Sequence, residues 1–407
     1  MSVLSDKYLS KFQALLRFPN LFGSPGIYRI LKTNFEDLRQ VTEEGRPYAA
    51  ISVFVPSEIL AALQIHYLPL EPVIATASQF GVVTEWEELY DDLLVTDTCC
   101  CGGQSLLALY ERQVLPLPKY FLSCSHMCDD SLKTFNFLAR RYDVPIFNLD
   151  VPYQKDREAV AYLASQLREL VRFICSIEHK ELAPAALEGA IAVSNRTNGH
   201  RQALFSSMKT NPPLFRMFDN LPTYPMFSKF GRPEVETIYR ELAEEVQTRV
   251  AKRQWAFEDG CYRLLWLGMI PLTFPKLLGF LDTLKFGFPI TELALHSDFG
   301  SIEGEPFEGI ALKILNYPLV GPAQRRLDKI AQVLEEYGIE GVIHFNHRGC
   351  VSFNGDNFLV SELLKSRNVP LLVLEGDIAL KKYCAPERLK EALEGFRLVL
   401  EERHGKR

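Results

Sequence analysis

A chain of 407 residues with 47% hydrophobic and 24% charged side chains is long enough for two or three domains with substantial apolar cores. Its formal charge of −6, with no dense Lys/Arg block, argues against a generic nucleic-acid binder. No apolar run reaches membrane-spanning length and the first residues read as neither a secretory signal nor a transit peptide, so a soluble, cytoplasmic protein with no membrane or nucleic-acid partner is expected. Nine cysteines in such a chain do not suggest a disulfide framework.

In chain order, residues 1–45 read as a helical segment of mixed polarity. From Pro47 onward short Val/Ile/Leu/Phe runs alternate with stretches of helical period, the pattern of an α/β protein with buried parallel strands. The expected strands of the first half are 49–55, 92–97, 119–123 and 144–150. An amphipathic helix is expected from Asp156 to Ile177. Residues 180–255 read as mainly helical, interrupted by the proline-rich stretch 211–225 and resuming near Pro233. A second α/β section starts with YRLLWLG (262–268), continues through GVIHF (341–345) and VPLLVLEGD (369–377), and ends in a charged helix.

The two halves share a faint repeat. YFLSCSHMC leads through a helix to YDVPIFNLD, and VIHFNHRGC leads through a helix to RNVPLLVLEGD. Strand, cysteine-bearing turn, helix, Val-Pro, strand and acid recur in that order. The expected fold is therefore α/β, with two related Rossmann-like, flavodoxin-like domains of parallel strands (46–195 and 256–407) joined by a helical connection (196–255).

Ligands of open parallel sheets bind beyond the carboxyl ends of the strands. Cysteines 99–101, 124–128 and 350 lie there, as do Asp150 and Asp377. Cys175, Cys261 and Cys384 are read as core or surface residues. Paired CxxC motifs for zinc or thioredoxin chemistry are missing, and Cys124–His126–Cys128 supplies only part of a zinc site. Dinucleotide, P-loop, zincin and nucleophile-elbow signatures are also missing. One cysteine from each of the three segments would hold a four-iron cluster with one iron free of protein thiolate, able to bind substrate. Buried, inert thiols are the alternative. His344, His347 and Arg348 flank Cys350, and Arg348 is a candidate partner for an anionic substrate.

Taken together, ISVFVPSEILAAL (51–63), TDTCCCGG (96–103), SCSHMCDDSLKTFNFLARRYDVPIFNLDVPY (123–153), AIAVSNRT (190–197) and GVIHFNHRGC (341–350) resemble the 2-hydroxyacyl-CoA dehydratase and benzoyl-CoA reductase family over most of the chain. The resemblance implies cluster ligands at Cys99, Cys128 and Cys350 and a [4Fe-4S] cluster. A double-cubane cluster is the alternative, with Cys100, Cys101 and Cys124 as surplus thiols. It implies an iron–sulfur subunit that eliminates water from a 2-hydroxyacyl-CoA through a ketyl radical. A benzoyl-CoA reductase-like or double-cubane reductase, or a non-catalytic electron-transfer subunit, are the other readings. It also implies a related iron–sulfur subunit, in a hetero- or homodimer, and a separate ATP-dependent activator. His347 and Arg348 are the substrate-binding candidates, and His347 is by position a candidate base. The sequence His347-Arg348-Gly349-Cys350 departs from the Asn-Arg-Ser-Cys found in relatives of this subunit type.

Overall fold

The computed structural model describes residues 3–19, 23–80, 100–257, 260–271, 275–295, 299–380, 383 and 385–405. It contains two four-stranded, wholly parallel sheets. The first is built from β1 (Ala49–Ile51), β2 (Tyr67–Pro69), β3 (Tyr120–Cys124) and β4 (Ile146–Leu149), in the order β2-β1-β3-β4. The second is built from β5 (Tyr262–Gly268), β6 (Phe286–Thr291), β7 (Gly341–His347) and β8 (Leu371–Gly376), in the order β6-β5-β7-β8. Counted within each half, both orders are 2-1-3-4. The repeat read from the cysteine turns thus extends to the whole sheet. In each half the order reverses between the first and third strands, the crevice where open α/β sheets take ligands.

Strands β5 and β7 are almost wholly buried, which explains why Leu264–Leu267 and Val342–Ile343 run apolar without alternation. The expected strand 49–55 ends at Ile51, because the chain turns at Val53 and sends its N–H to Glu71. The expected strand 92–97 lies outside the described residues. β2 and β6 had no counterpart among the expected strands. β2 ends in Pro69 and β6 carries Gly287 and Pro289, residues that normally argue against a strand. Both sit at sheet edges, where a proline need not break a ladder on its outer side.

The helices expected near Asp156 and Pro233 form as Arg157–Glu178 and Pro233–Ala251. The first opens on Asp156, whose carboxylate accepts from Ala159 N–H at 2.8 Å, and closes at His179 in the left-handed region. It buries Leu163, Leu167, Leu170 and Ile174 at helical spacing and packs on the helix Pro306–Leu315 from the second half. One apolar core runs from Ile51 and Leu122 in the first sheet to Leu265, Leu267 and Ile290 in the second. The N-terminal segment forms two helices, Val3–Leu16 and Pro25–Thr42. No helix among the described residues is long and apolar enough to cross a membrane.

Candidate functional site

Three cysteines stand at helix N-termini. Cys100 is the N-cap of the helix Cys101–Glu111, Cys128 of Asp129–Tyr142, and Cys350 of the short helix Val351–Asn354. The positive end of a helix and its unpaired N–H groups favour an anionic sulfur at that position. Cys128 Sγ accepts one of these N–H groups, that of Ser131, at 3.3 Å. Cys128 and Cys350 are reached by the same device. β3 and β7 each end in a short turn whose last residue is left-handed, Met127 at φ +73° and Gly349 at φ +74°, and the cysteine follows. Ser352 Oγ donates to Met127 O, tying the two turns together. Asp130 accepts from Cys100 N–H at 2.9 Å and so fixes the Cys100 segment to the Cys128 helix.

His347, at the end of β7, is buried against Cys100 and Cys101. Its Nε2 lies 3.5 Å from Cys100 Sγ and 3.7 Å from Cys101 Sγ, the three side chains forming one compact group of soft donors. On the other side of the ring, Nδ1 faces Asp377 Oδ2 at 3.8 Å and has no hydrogen-bond partner among the described residues. Asp377 is itself held by the N–H groups of Ala379 and Leu380, both at 2.8 Å. The Cys101 thiol and His347 pull the Cys100 thiol well below its ordinary range, against its burial. Burial pushes Cys101 and Cys128 up, and Cys350 up to about 12. Burial opposes protonation of His347, but the Cys100 sulfur and Asp377 outweigh it and raise its pKa.

Cys100, Cys128, His347 and Cys350 line one cavity of about 300 Å³, together with a largely hydrocarbon wall. Glu71 lines it too. This carboxyl lies in the first turn of the helix Leu70–Gln79 and accepts from Ser52 Oγ (2.8 Å), Val53 N–H (3.1 Å) and Ser131 Oγ (3.4 Å). Burial raises its pKa, so it holds a proton more readily than a surface glutamate. Three thiols turned into one apolar cavity, with His347 Nε2 beside the Cys100 sulfur, are a donor set suited to an iron–sulfur cluster.

The residues singled out from sequence are distributed as follows. Cys128, Cys350 and His347 line the cavity. Cys99 lies outside the described residues, and its neighbour Cys100 is the residue of that run seen to face the site. Arg348 is not among the described lining residues, and its guanidinium sits 4.1 Å from the centre of the Tyr383 ring. Cys124 is a buried strand residue and His126 stacks on Tyr317 at 5.4 Å, so the triplet 124–126–128 is not one site. His344 is buried, with a pKa depressed to about 4 by burial. Asp150 is exposed and holds Ser125 and Tyr162, unlike Asp377. Glu71 was missed. Its only local signal is an acid between Pro69 and Pro72 at a helix start.

The cavity thus gathers the Glu71 carboxyl, the His347 imidazole and three thiols from both halves of the chain. Residues 52–397 match the family model of the 2-hydroxyglutaryl-CoA dehydratase D-component, and the chain belongs to that family. Among curated relatives, it is 23% identical to the alpha subunit of (R)-2-hydroxyglutaryl-CoA dehydratase from Acidaminococcus fermentans, over 68% of this chain and 59% of that subunit. The alpha subunit of (R)-phenyllactyl-CoA dehydratase from Clostridium sporogenes is 22% identical over 71% of this chain and 72% of its own length. That of (R)-2-hydroxyisocaproyl-CoA dehydratase from Clostridioides difficile is 21% identical over 92% and 95%. The chain thus spans less than two thirds of the first of these and nearly all of the third.

Proposed function

We propose that this chain is the iron–sulfur subunit of a 2-hydroxyacyl-CoA dehydratase-type enzyme, with a [4Fe-4S] cluster held by Cys128, Cys350 and a cysteine of the 99–101 run. In this proposal that third ligand is Cys99, the residue the resemblance in sequence implies, with Cys100 as the alternative because its thiol lines the cavity. The observation that carries the reading is the convergence of cysteine-bearing helix N-termini from both halves on an apolar cavity shared with a buried glutamate. Division of the chain into 46–195 and 256–407 belongs to the same proposal, with the cluster lying between the two units.

A cluster held there supplies a single low-potential electron and an iron open to a carbonyl oxygen. The protein residues supply the rest. The hydrocarbon wall excludes water from the cavity, which strengthens each polar contact inside it. The N-termini of the helices at Cys100 and Cys128 offset negative charge near the thiolates. His347, oriented by Asp377, holds a proton against the Cys100 sulfur. Glu71 takes the role of base or acid. Its raised pKa suits it to give its proton to the departing hydroxyl and then, as the carboxylate, to take one from C3, which restores the protonated acid. The sum is loss of one water from a 2-hydroxyacyl thioester to give the enoyl thioester. The relatives' description as alpha subunits supports a second, related subunit in the working enzyme. A separate ATP-hydrolysing activator completes the proposal.

The test is iron and acid-labile sulfide per chain after strictly anaerobic purification, beside a Cys350→Ala variant. About four of each in the native protein, lost in the variant, is the expected result. About eight irons would replace the single cluster with a double one, and no iron at all would end the redox reading.

A further inference from the structure

The cavity joins two sets of lining residues with different chemistry. One set comprises the cysteines, His347 and Glu71. The other is hydrocarbon from the two N-terminal helices, chiefly Phe12, Leu15, Leu31 and Leu38, with the ring of Tyr8 beside them. All five precede residue 52, where the match to the family model begins. These helices are anchored to the first sheet's own helix Leu70–Gln79 and its end. Tyr8 Oη donates to Val73 O at 3.1 Å, and Lys11 Nζ donates to Phe80 O at 2.7 Å. Phe12 packs edge-on against Phe35, ring centres 5.2 Å apart, so the wall is built rather than loosely laid over the cavity.

The described lining residues offer no uncommitted lysine or arginine. Lys229 is the one lysine or arginine among the described lining residues. It is buried and already committed, donating to Asp37 Oδ2 at 2.7 Å and to Asn34 Oδ1. Arg232 also reaches Asp37, at 3.0 Å, which completes a closed ionic group. A carboxylate brought into the cavity would lose its water and meet Glu71 and Asp130, with no free lysine or arginine among the described lining residues and with the His347 ring already engaged by Cys100.

We infer that the N-terminal helices select the acyl group, admitting a bulky uncharged side chain, branched or aromatic, and rejecting one that ends in a second carboxylate. This rests on the thioester reading of the site given above. The cavity, about 300 Å³, is at the small end of ligand sites, so it favours an acyl side chain of one ring or one branched alkyl group.

The experiment is calorimetric titration of the anaerobically purified holoprotein, with any subunit that copurifies, using 3-phenylpropanoyl-CoA, 4-methylpentanoyl-CoA, propanoyl-CoA and glutaryl-CoA. The first two are expected to bind at least tenfold more tightly than the last two. Leu38→Asn is expected to erase most of that preference. Because Leu38 is buried and its loss can unfold the helix, Leu15→Asn at a half-buried lining position is measured beside it and is expected to narrow the preference several-fold. Glutaryl-CoA binding as tightly as the phenyl or branched thioester would overturn the selectivity and leave the dehydratase proposal standing. Failure of all four thioesters to bind would overturn both.

Discussion

Glu71 and Glu292 occupy the same place in the two halves and do different things there. Each opens the helix that follows the second strand of its sheet, and each accepts from an N–H at the end of the first strand, Val53 for Glu71 and Gly268 for Glu292. Glu292 is then gripped by Arg326, at 2.6 and 2.9 Å, and Arg326 also reaches Asp356 and the carbonyl of Phe353. Glu71 has two serine hydroxyls in that place and a wall on the cavity. The same backbone device therefore serves as a buried ionic clamp in one half and as an unclamped, proton-holding acid in the other. The fold supplies the position, and the neighbours decide between scaffold and chemistry.

The largest effect that bears on this comparison is loss of the metal centre. Cys128→Ala and Cys350→Ala should each remove nearly all cluster iron, measured as iron and sulfide per chain, because the two turns are equivalent. An effect confined to one of them would break the equivalence. Next comes the clamp. Arg326→Met leaves Glu292 buried without its cation, at a cost of about 3–5 kcal/mol, read from chemical denaturation with the iron content monitored. Glu71→Gln should change stability by no more than about 1 kcal/mol, since the amide oxygen still accepts from Ser52 and Val53. It should nonetheless lower turnover by about 10²–10⁴-fold if Glu71 moves the proton. Equal stability losses at Arg326→Met and Glu71→Gln would erase the distinction between the two acids.

Proton linkage sharpens the same contrast. The folded-state pKa of Glu71 is raised, so folding favours its protonated form. Its contribution to stability is fully present below the unfolded value of about 4.3 and is lost as pH rises through the raised folded value. Wild-type protein should therefore lose stability relative to Glu71→Gln as pH climbs through that window, with the difference level on either side. A constant difference across denaturation midpoints measured from acid to neutral pH would show that Glu71 is not held protonated by the fold.

How much of this could be read from sequence follows from distance along the chain. The turns at Cys128 and Cys350 are local, each a strand end, a few residues and a helix, so their likeness shows in the text of the sequence. The second strands of the repeat, β2 and β6, are hidden because they contain prolines, which a sheet accepts at its edge. Glu71 is 57 residues from Cys128, and nothing near Pro69 announces that the first sheet will bring its carboxyl to the hydroxyl of Ser131. The wall formed by Phe12, Leu31 and Leu38 looks like an ordinary amphipathic helix pair. Its facing depends on packing against residues 70–80, which is long-range information. His347 was legible as a neighbour of Cys350, but its contact with Cys100 spans 247 residues and two sheets.

The smallest test addresses the cysteine turns themselves. Met127 at φ +73° and Gly349 at φ +74° adopt the same left-handed conformation, one with a side chain and one without. If that conformation is what places each cysteine at its helix N-cap, substitutions at Gly349 should follow the cost of left-handed backbone alone. Gly349→Asn should cost least, Gly349→Ala about 1 kcal/mol, and β-branched Gly349→Val the most. Cluster iron should survive in the Asn and Ala variants, because Arg348 N–H still pairs with Gly376 O at 2.9 Å and Cys350 N–H with His347 O at 3.1 Å. A valine tolerated without cost would mean that the turn after β7 can relax out of the left-handed region. The two halves would then present their cysteines by different means, and the twofold argument for the site would rest on the strands alone.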